Sequence, residues 1–270
     1  FHFVNDSILN ERTLERLIRQ ADLIYHLAAV VGVKYVVDDP LMAIITNVRG
    51  TENVLELAFK YWVRTVIASS SEIYGKSTAV PLQEDSDRLL GPTTVGRWSY
   101  SDAKAIDEYF ALAYAKKGLP VSVVRYFNAY GPRLDPLGYG SVIAKFMTQA
   151  LRGEPLTVYG DGSQTRSFCY IGDCLEGIYR LMQSDFDRPL NIGSDELVTI
   201  NQMVDMIADI AGKRLKKKHL LDKPQGVRGR NSDNTLIRKV FGWAPPTSLR
   251  DGLAKTYPWI EEQVRAARGN

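Results

Sequence analysis

Thr65-Val-Ile-Ala-Ser-Ser-Ser-Glu72 is an apolar run closed by three hydroxyls and a carboxylate, and downstream of it Tyr100-Ser-Asp-Ala-Lys104 opens a helical pattern. The first segment reads as a buried strand, because a run of Val, Ile and Ala bounded by polar residues leaves no face for water. The second puts Tyr100 and Lys104 four residues apart, on one face of a helix. An ammonium close to a phenol favours the phenolate, so a tyrosine so placed can act as a base near neutral pH. Ser70, at the strand's end, could hydrogen-bond the same substrate oxygen. Such a trio removes a proton from an alcohol, and that chemistry requires a hydride acceptor.

Working outward, Phe1-His-Phe-Val4 reads as a short strand and Asn10 as the cap of a helix through Gln20. Ala21 to Ala29 is a continuous apolar run, the mark of a strand covered on both faces. Pro40 to Tyr61 is a long helical pattern interrupted by Gly50. The Tyr100 helix runs to Lys117, and a strand follows from Val121 to Phe127. This alternation predicts an α/β fold with a doubly wound parallel sheet and helices on both sides. Beyond Pro132 the elements shorten. A helix spans Ser141 to Leu151, strands lie at Leu156–Tyr159 and Arg166–Ile171, and a helix follows Gly172. Leu190-Asn-Ile192 reads as a strand, with helices at Ile200–Ala211, Asn234–Phe241 and Leu249–Arg268. Two domains are expected, residues 1–132 and 133–270, with some return of the later chain to the first.

The 270 residues carry a formal net charge of +3, with the basic residues scattered except for Lys213 to Lys218. That run is a phosphate or nucleic-acid patch or a solvated loop, and the loop is the reading adopted, with no nucleic-acid partner. Cys169 and Cys174 cannot build a disulfide framework, and their C-x4-C spacing lacks a second pair, so no metal site is expected. His2, His26 and His219 are too dispersed for one. No apolar run approaches membrane-spanning length and no leader pattern is visible. A soluble protein in a reducing, cytoplasmic setting, without a membrane partner, is expected.

His26-Leu-Ala-Ala29, Asn47-Val-Arg-Gly-Thr51, Ser69-Ser-Ser-Glu-Ile-Tyr-Gly75, Tyr100-x-x-x-Lys104 and Arg125-Tyr-Phe-Asn-Ala-Tyr-Gly-Pro132 follow one another along the chain. Val158-Tyr-Gly-Asp-Gly162, Gln164-Thr-Arg-Ser-Phe168 and Asn191-Ile-Gly193 come after them. In order and spacing these blocks resemble the extended short-chain dehydrogenase/reductase family, the enzymes that remodel nucleotide-activated sugars. The resemblance implies a Rossmann-like domain and a smaller lobe that holds the nucleotide sugar. It implies NAD against Ala28, Ala29, Asn47, Ser69 and Phe127, with Tyr100 and Lys104 at its reactive end. His26 and Asn47 look like scaffold beside it. The family's glycine-rich phosphate turn would precede Phe1, which falls in the third strand by this reading, with on the order of 50 residues upstream.

Within the family, Tyr100 would be the base for the sugar 4-hydroxyl and Lys104 would hold the nicotinamide ribose. Ser70 would share the hydrogen bond, and Ser71 would lie against substrate. Glu72 resembles the glutamate of UDP-glucuronate decarboxylases and several dehydratases; the other reading is a loop glutamate turned to water. Arg166 would face the sugar carboxylate or the diphosphate. Asn128 would contact the diphosphate and Tyr159 the base, or they are a turn asparagine and a half-buried strand tyrosine. Gly226-Val-Arg-Gly-Arg-Asn-Ser-Asp-Asn234 and Gly242-Trp-Ala-Pro245 resemble GDP-mannose 3,5-epimerases, where Arg228 or Arg230 would clamp the diphosphate. Those enzymes pair a cysteine with a lysine; Glu72 and Ser141 stand at those places, so 3,5-epimerisation is not expected. Relatives dimerise through helices corresponding to 40–61 and 99–117, or these simply pack on the sheet. The expected activity is NAD-dependent decarboxylation of UDP-glucuronate, with 4-epimerisation of a UDP-sugar as the alternative and a GDP-sugar also open. Were the chain to start at Phe1, a nucleotide-sugar-binding protein without catalysis would be the second alternative.

Overall fold

A computed structural model describes residues 1–134, 141–222 and 229–267 of the chain. The elements run α1 (Glu11–Ile18), β1 (Leu23–His26), α2 (Val33–Asp38), α3 (Pro40–Ile44), a π-helical turn (Ile45–Arg49), α4 (Gly50–Tyr61), β2 (Arg64–Ser70), a 3-10 turn (Ser71–Tyr74), α5 (Trp98–Lys116) and β3 (Val121–Tyr126). They continue as β4 (Ala129–Tyr130), α6 (Val142–Arg152), β5 (Leu156–Tyr159), β6 (Thr165–Arg166), β7 (Cys169–Tyr170), α7 (Ile171–Met182), β8 (Pro189–Ile192), β9 (Val198–Thr199), α8 (Ile200–Ile210), β10 (Lys217–Leu220), α9 (Thr235–Phe241) and α10 (Leu249–Ala266).

Two compact units emerge, each from discontinuous chain: Phe1–Gly75, Asp87–Tyr126 and Ile178–Leu190 in the first, Lys76–Ser86, Phe127–Gly177 and Asn191–Asn270 in the second. The chain passes from the first unit to the second at Phe127, and Ile178–Leu190 belongs to the first. Lys76–Ser86 belongs to the second unit because Leu82 exchanges backbone hydrogen bonds with it. Leu82 N–H donates to the Asn231 carbonyl, and Asp233 N–H donates to that of Leu82, both at 2.9 Å.

In the first unit β1, β2 and β3 pair in parallel, with Leu23 opposite Arg64 and Thr65 opposite Val121. Val66, Ile67, Val123 and Val124 are wholly or almost wholly buried, at about 1.5–3 kcal/mol each. Leu55 and Ala58 of α4 and Ala111 of α5 close over Ile67, Val121 and Val123. Caps set the helix starts: Asn10 accepts from Thr13 N–H at 3.3 Å, and Asp39 from Met42 N–H at 3.0 Å ahead of Pro40. In the second unit α6, α8 and α10 share one apolar core with β5 and β9 around Phe146, Met147, Met203 and Leu253. Ser141 caps α6, and Thr199 with Gln202 forms a capping box on α8.

Four expectations need correction. Phe1 to Val4 forms no strand, and its side chains are exposed; among the described residues no neighbouring strand takes up its backbone groups. Gly50 does not interrupt its helix: φ is −61°, and a Cβ there would run into the Ile8 side chain, so the glycine serves a close approach. Arg166–Ile171 is not one strand but two, β6 pairing with β9 and β7 with β4. The basic run from Lys213 is a loop only in part, since β10 pairs with β5 and Lys217 meets the Asp205 carboxylate at 2.8 Å.

Candidate active site

Parallel strands deliver their carboxyl ends to one edge, where doubly wound sheets hold ligands. β2 ends there at Ser70, and Ser71 and Glu72 continue as the 3-10 turn. Ser70 Oγ accepts from Glu72 N–H at 3.2 Å, and Ser101 Oγ donates to the Glu72 carbonyl at 2.8 Å, which ties the turn to α5. Tyr100 is hydrogen-bonded to Ser70, so strand end and helix are joined through the foreseen pair.

The electrostatics differ from the sequence reading. Burial pushes the Tyr100 phenol up to about 12, the Ser70 hydrogen bond opposes it, and the charges of Glu72 and Asp107 raise it further. Lys104 does not bring it down, because its Nζ donates to Asp107 Oδ2 at 3.1 Å in a buried pair. The Glu72 side chain is 37% exposed, standing on a surface turn, and it lies 3.9 Å from the Arg97 guanidinium. Arg97 is a residue the sequence reading missed. Its position three before Tyr100, on the same helical face, was the available signal.

Beneath this layer is a buried charged network. Arg125 grips Glu108 with two bonds, Nε to Oε1 at 2.9 Å and Nη2 to Oε2 at 2.7 Å, and reaches the Tyr74 hydroxyl at 2.9 Å. Ser69 Oγ donates to Glu108 Oε1 at 2.5 Å. The Ser69 hydroxyl is thus committed to the core, although cofactor contact was foreseen for it.

The residues at the end of β1 fit a dinucleotide. Asn47 clamps the backbone of Val30 from both sides, accepting its N–H at 2.7 Å and donating to its carbonyl at 3.1 Å. This holds in place a loop on which Ala28 is exposed and Ala29 half-buried, small side chains that let a flat group approach the main chain. Asn47 itself is buried and acts as scaffold. His26 Nε2 lies 2.9 Å from Thr51 Oγ1, and burial, then the Lys104 charge, lowers its pKa to about 4.

The remaining foreseen residues lie in the second unit. Phe127 is wholly buried, so only its backbone could meet a ligand. Asn128 has a positive φ of 41° and donates to the Ser167 carbonyl at 2.8 Å, as a turn asparagine does. Tyr159 is half-exposed, with the Lys145 ammonium 4.7 Å from its ring centre. Arg166 donates to the Thr165 carbonyl at 2.7 Å, and Arg230 is buried with its carbonyl accepting from Ser167. Arg228 lies outside the described residues.

Known proteins resemble the chain over most of its length. The profile of the GDP-mannose 4,6 dehydratase family matches residues 1–256. A UDP-N-acetyl-alpha-D-glucosaminuronate decarboxylase of Bacillus cytotoxicus is 39% identical over 263 residues, 95% of this chain and 82% of that protein. UDP-glucuronic acid decarboxylase 5 of Arabidopsis thaliana is 35% identical, covering 97% of this chain and 76% of the relative. UDP-glucuronic acid 4-epimerase from Bacillus cereus, solved with UDP-glucuronic acid and NAD, superimposes with a TM-score of 0.86 at 29% identity, over 97% of this chain and 82% of its own. The chain belongs to the GDP-mannose 4,6 dehydratase family, among the NAD-dependent, extended short-chain dehydrogenases/reductases that act on nucleotide sugars.

Proposed function

We propose that the chain decarboxylates UDP-glucuronate through a 4-keto sugar. The observation that carries this reading is Glu72, set on the turn after β2 beside the Ser70–Tyr100 pair. The decarboxylase relatives support it. In this reading the first unit holds NAD along Ala28, Ala29 and the loop fixed by Asn47. The second unit binds the nucleotide, with Asn128 and either Arg228 or Arg230 at the diphosphate, Arg166 at the diphosphate or the sugar carboxylate, and Tyr159 against the base. NAD bound there would supply the acceptor for the hydride of sugar C4 and the source of its return. Tyr100 takes the proton of the 4-hydroxyl, with Ser70 holding the same oxygen. The resulting 4-ketone stands β to the C6 carboxylate, so the C5–C6 bond breaks, carbon dioxide leaves, and its electron pair enters the enolate. Glu72, open to water, passes a proton to C5, and Tyr100 returns its proton to O4 as the pentose forms.

Epimerisation is the competing reading, favoured by the similarity to the 4-epimerase structure. It needs the 4-keto sugar to turn its other face to the hydride, with the carboxylate kept. Incubation of the enzyme with UDP-glucuronate and NAD should release carbon dioxide and yield a UDP-pentose. Glu72→Ala should slow that step more than the oxidation, so that the 4-keto sugar accumulates. A product that retains its carboxylate with inverted C4 would replace decarboxylation by epimerisation. Activity confined to the 2-acetamido sugar would move the substrate to that of the Bacillus cytotoxicus relative.

A homodimer in a reducing, cytoplasmic setting is part of the proposal. Leu41 and Met42 of α3 and Ile106 and Tyr109 of α5 are exposed apolar residues, more than a helix surface in water needs. Cys169 and Cys174 are buried and free, and no helix among the described residues is long and apolar enough to cross a membrane.

A further inference from the structure

Lys104 has a partner that the reaction scheme leaves unused. The Lys104 and Asp107 side chains are 3% and 0% exposed, and the Asp107 Oδ1 atom has no hydrogen-bond partner. Thr51 of α4 sits beside the same carboxylate, with His26 of β1 behind it. A buried ion pair contributes little to stability, since the cost of removing both charges from water offsets their attraction. Apolar residues at both positions 104 and 107 would pack α5 on the sheet at least as well. The pair therefore calls for a functional reason.

We propose that Asp107 is a positioning residue, which holds the Lys104 ammonium one turn beyond its Tyr100-facing side and offsets its charge. The inference rests on the reading of Tyr100 as the base. Other charged groups nearby are already engaged. Glu108 is gripped by Arg125 and Ser69, Glu72 faces Arg97 on the surface, and burial keeps His26 neutral. Asp107 is thus the carboxylate that decides how much of the lysine's charge the phenol senses. With Asp107 neutral, the ammonium would stabilise the phenolate and Tyr100 would give up its proton at lower pH. Seven residues of helix put the two side chains roughly 10 Å apart. At an effective dielectric of ~20, one charge at that distance moves an ionisation by about one pH unit.

The test is an NMR titration of the chain carrying [13C]tyrosine, with Tyr100→Phe identifying the Tyr100 signal among the 14 tyrosines. In D107N that signal should titrate about one pH unit lower, and Asp107→Glu, which restores the charge, should move it back. A folded D107N whose Tyr100 titrates as in the parent overturns the proposal, as does a shift that D107E fails to reverse. Should D107N not fold, Asp107→Ser, which leaves room for a water, gives the same reading. If neither folds, Asp107 is structural and the proposal falls. In turnover of UDP-glucuronate with NAD, the acid limb of kcat should shift in the same direction while KM stays. An NMR shift without any decarboxylation would count against the proposed reaction and leave the role of Asp107 standing.

Discussion

Arg125→Met is the perturbation that most directly tests the architecture beneath the site. Arg125 makes two charge-assisted bonds to Glu108 and one to Tyr74, and the Arg125 and Glu108 side chains are 9% and 7% exposed. The substitution leaves the Glu108 carboxylate buried with only the Ser69 hydroxyl to satisfy it. Removing one partner of such a pair costs about 3–5 kcal/mol. For a chain of this size, with ~2–4 °C per kcal/mol, the melting temperature should fall by about 10 °C. The double variant Arg125→Met/Glu108→Leu removes both charges and should recover most of that loss, because the desolvation cost disappears with the attraction. Thermal and urea melts of the parent, both single variants and the double variant provide the cycle. If Arg125→Met costs less than about 1 kcal/mol, or the double variant loses the sum of the two single variants, then the network is not the coupled unit described.

Tyr100→Phe should lower turnover by about 10²–10⁴-fold while nucleotide-sugar affinity stays within a few-fold, since the hydroxyl matters to the transition state; steady-state kinetics beside calorimetry would show it, and near-normal turnover would remove Tyr100 as the base. Stability should fall in acid through His26, whose folded pKa of about 4 lies below the ordinary 6.5. Above pH 6.5 the neutral ring is favoured in both states, whereas from there down to about 4 only the unfolded chain takes the proton, a loss reaching ~3 kcal/mol that His26→Gln should reduce in urea titrations. Light scattering should show a dimer at micromolar concentration, and the pair Leu41→Asp and Tyr109→Lys should give monomers; a parent that is already monomeric would end the dimer proposal.

The positions of the strand ends and of the Tyr100 helix were legible because each follows from a local rule. A Val/Ile run marks a covered strand, and a four-residue spacing marks one helical face. The cap at Asn10 was legible for the same reason. Asp107 and Glu108 were not, because acidic residues in a helix pattern suggest its watery side. Their burial depends on Lys104, Arg125 and Ser69, and Arg125 comes from another element. The same limit hid the competition for the Lys104 ammonium. Spacing brings a lysine toward a tyrosine but says nothing of a third group that holds it.

α5 also leaves a trace in how its sequence can vary. Its exposed positions are Ile106, Tyr109, Ala113 and Lys116, one narrow stripe of a 19-residue helix, and three of the four are not charged. On most helices the watery side is where neutral changes accumulate between lineages, and here little of that reservoir exists. The inward positions hold Tyr100, Lys104, Asp107 and Glu108, and the outward ones keep an apolar character of their own. A saturation scan along the helix should therefore find permissive sites mainly at its last turn. Drift in the protein as a whole would be displaced to elements such as α1, whose outer face is free to change.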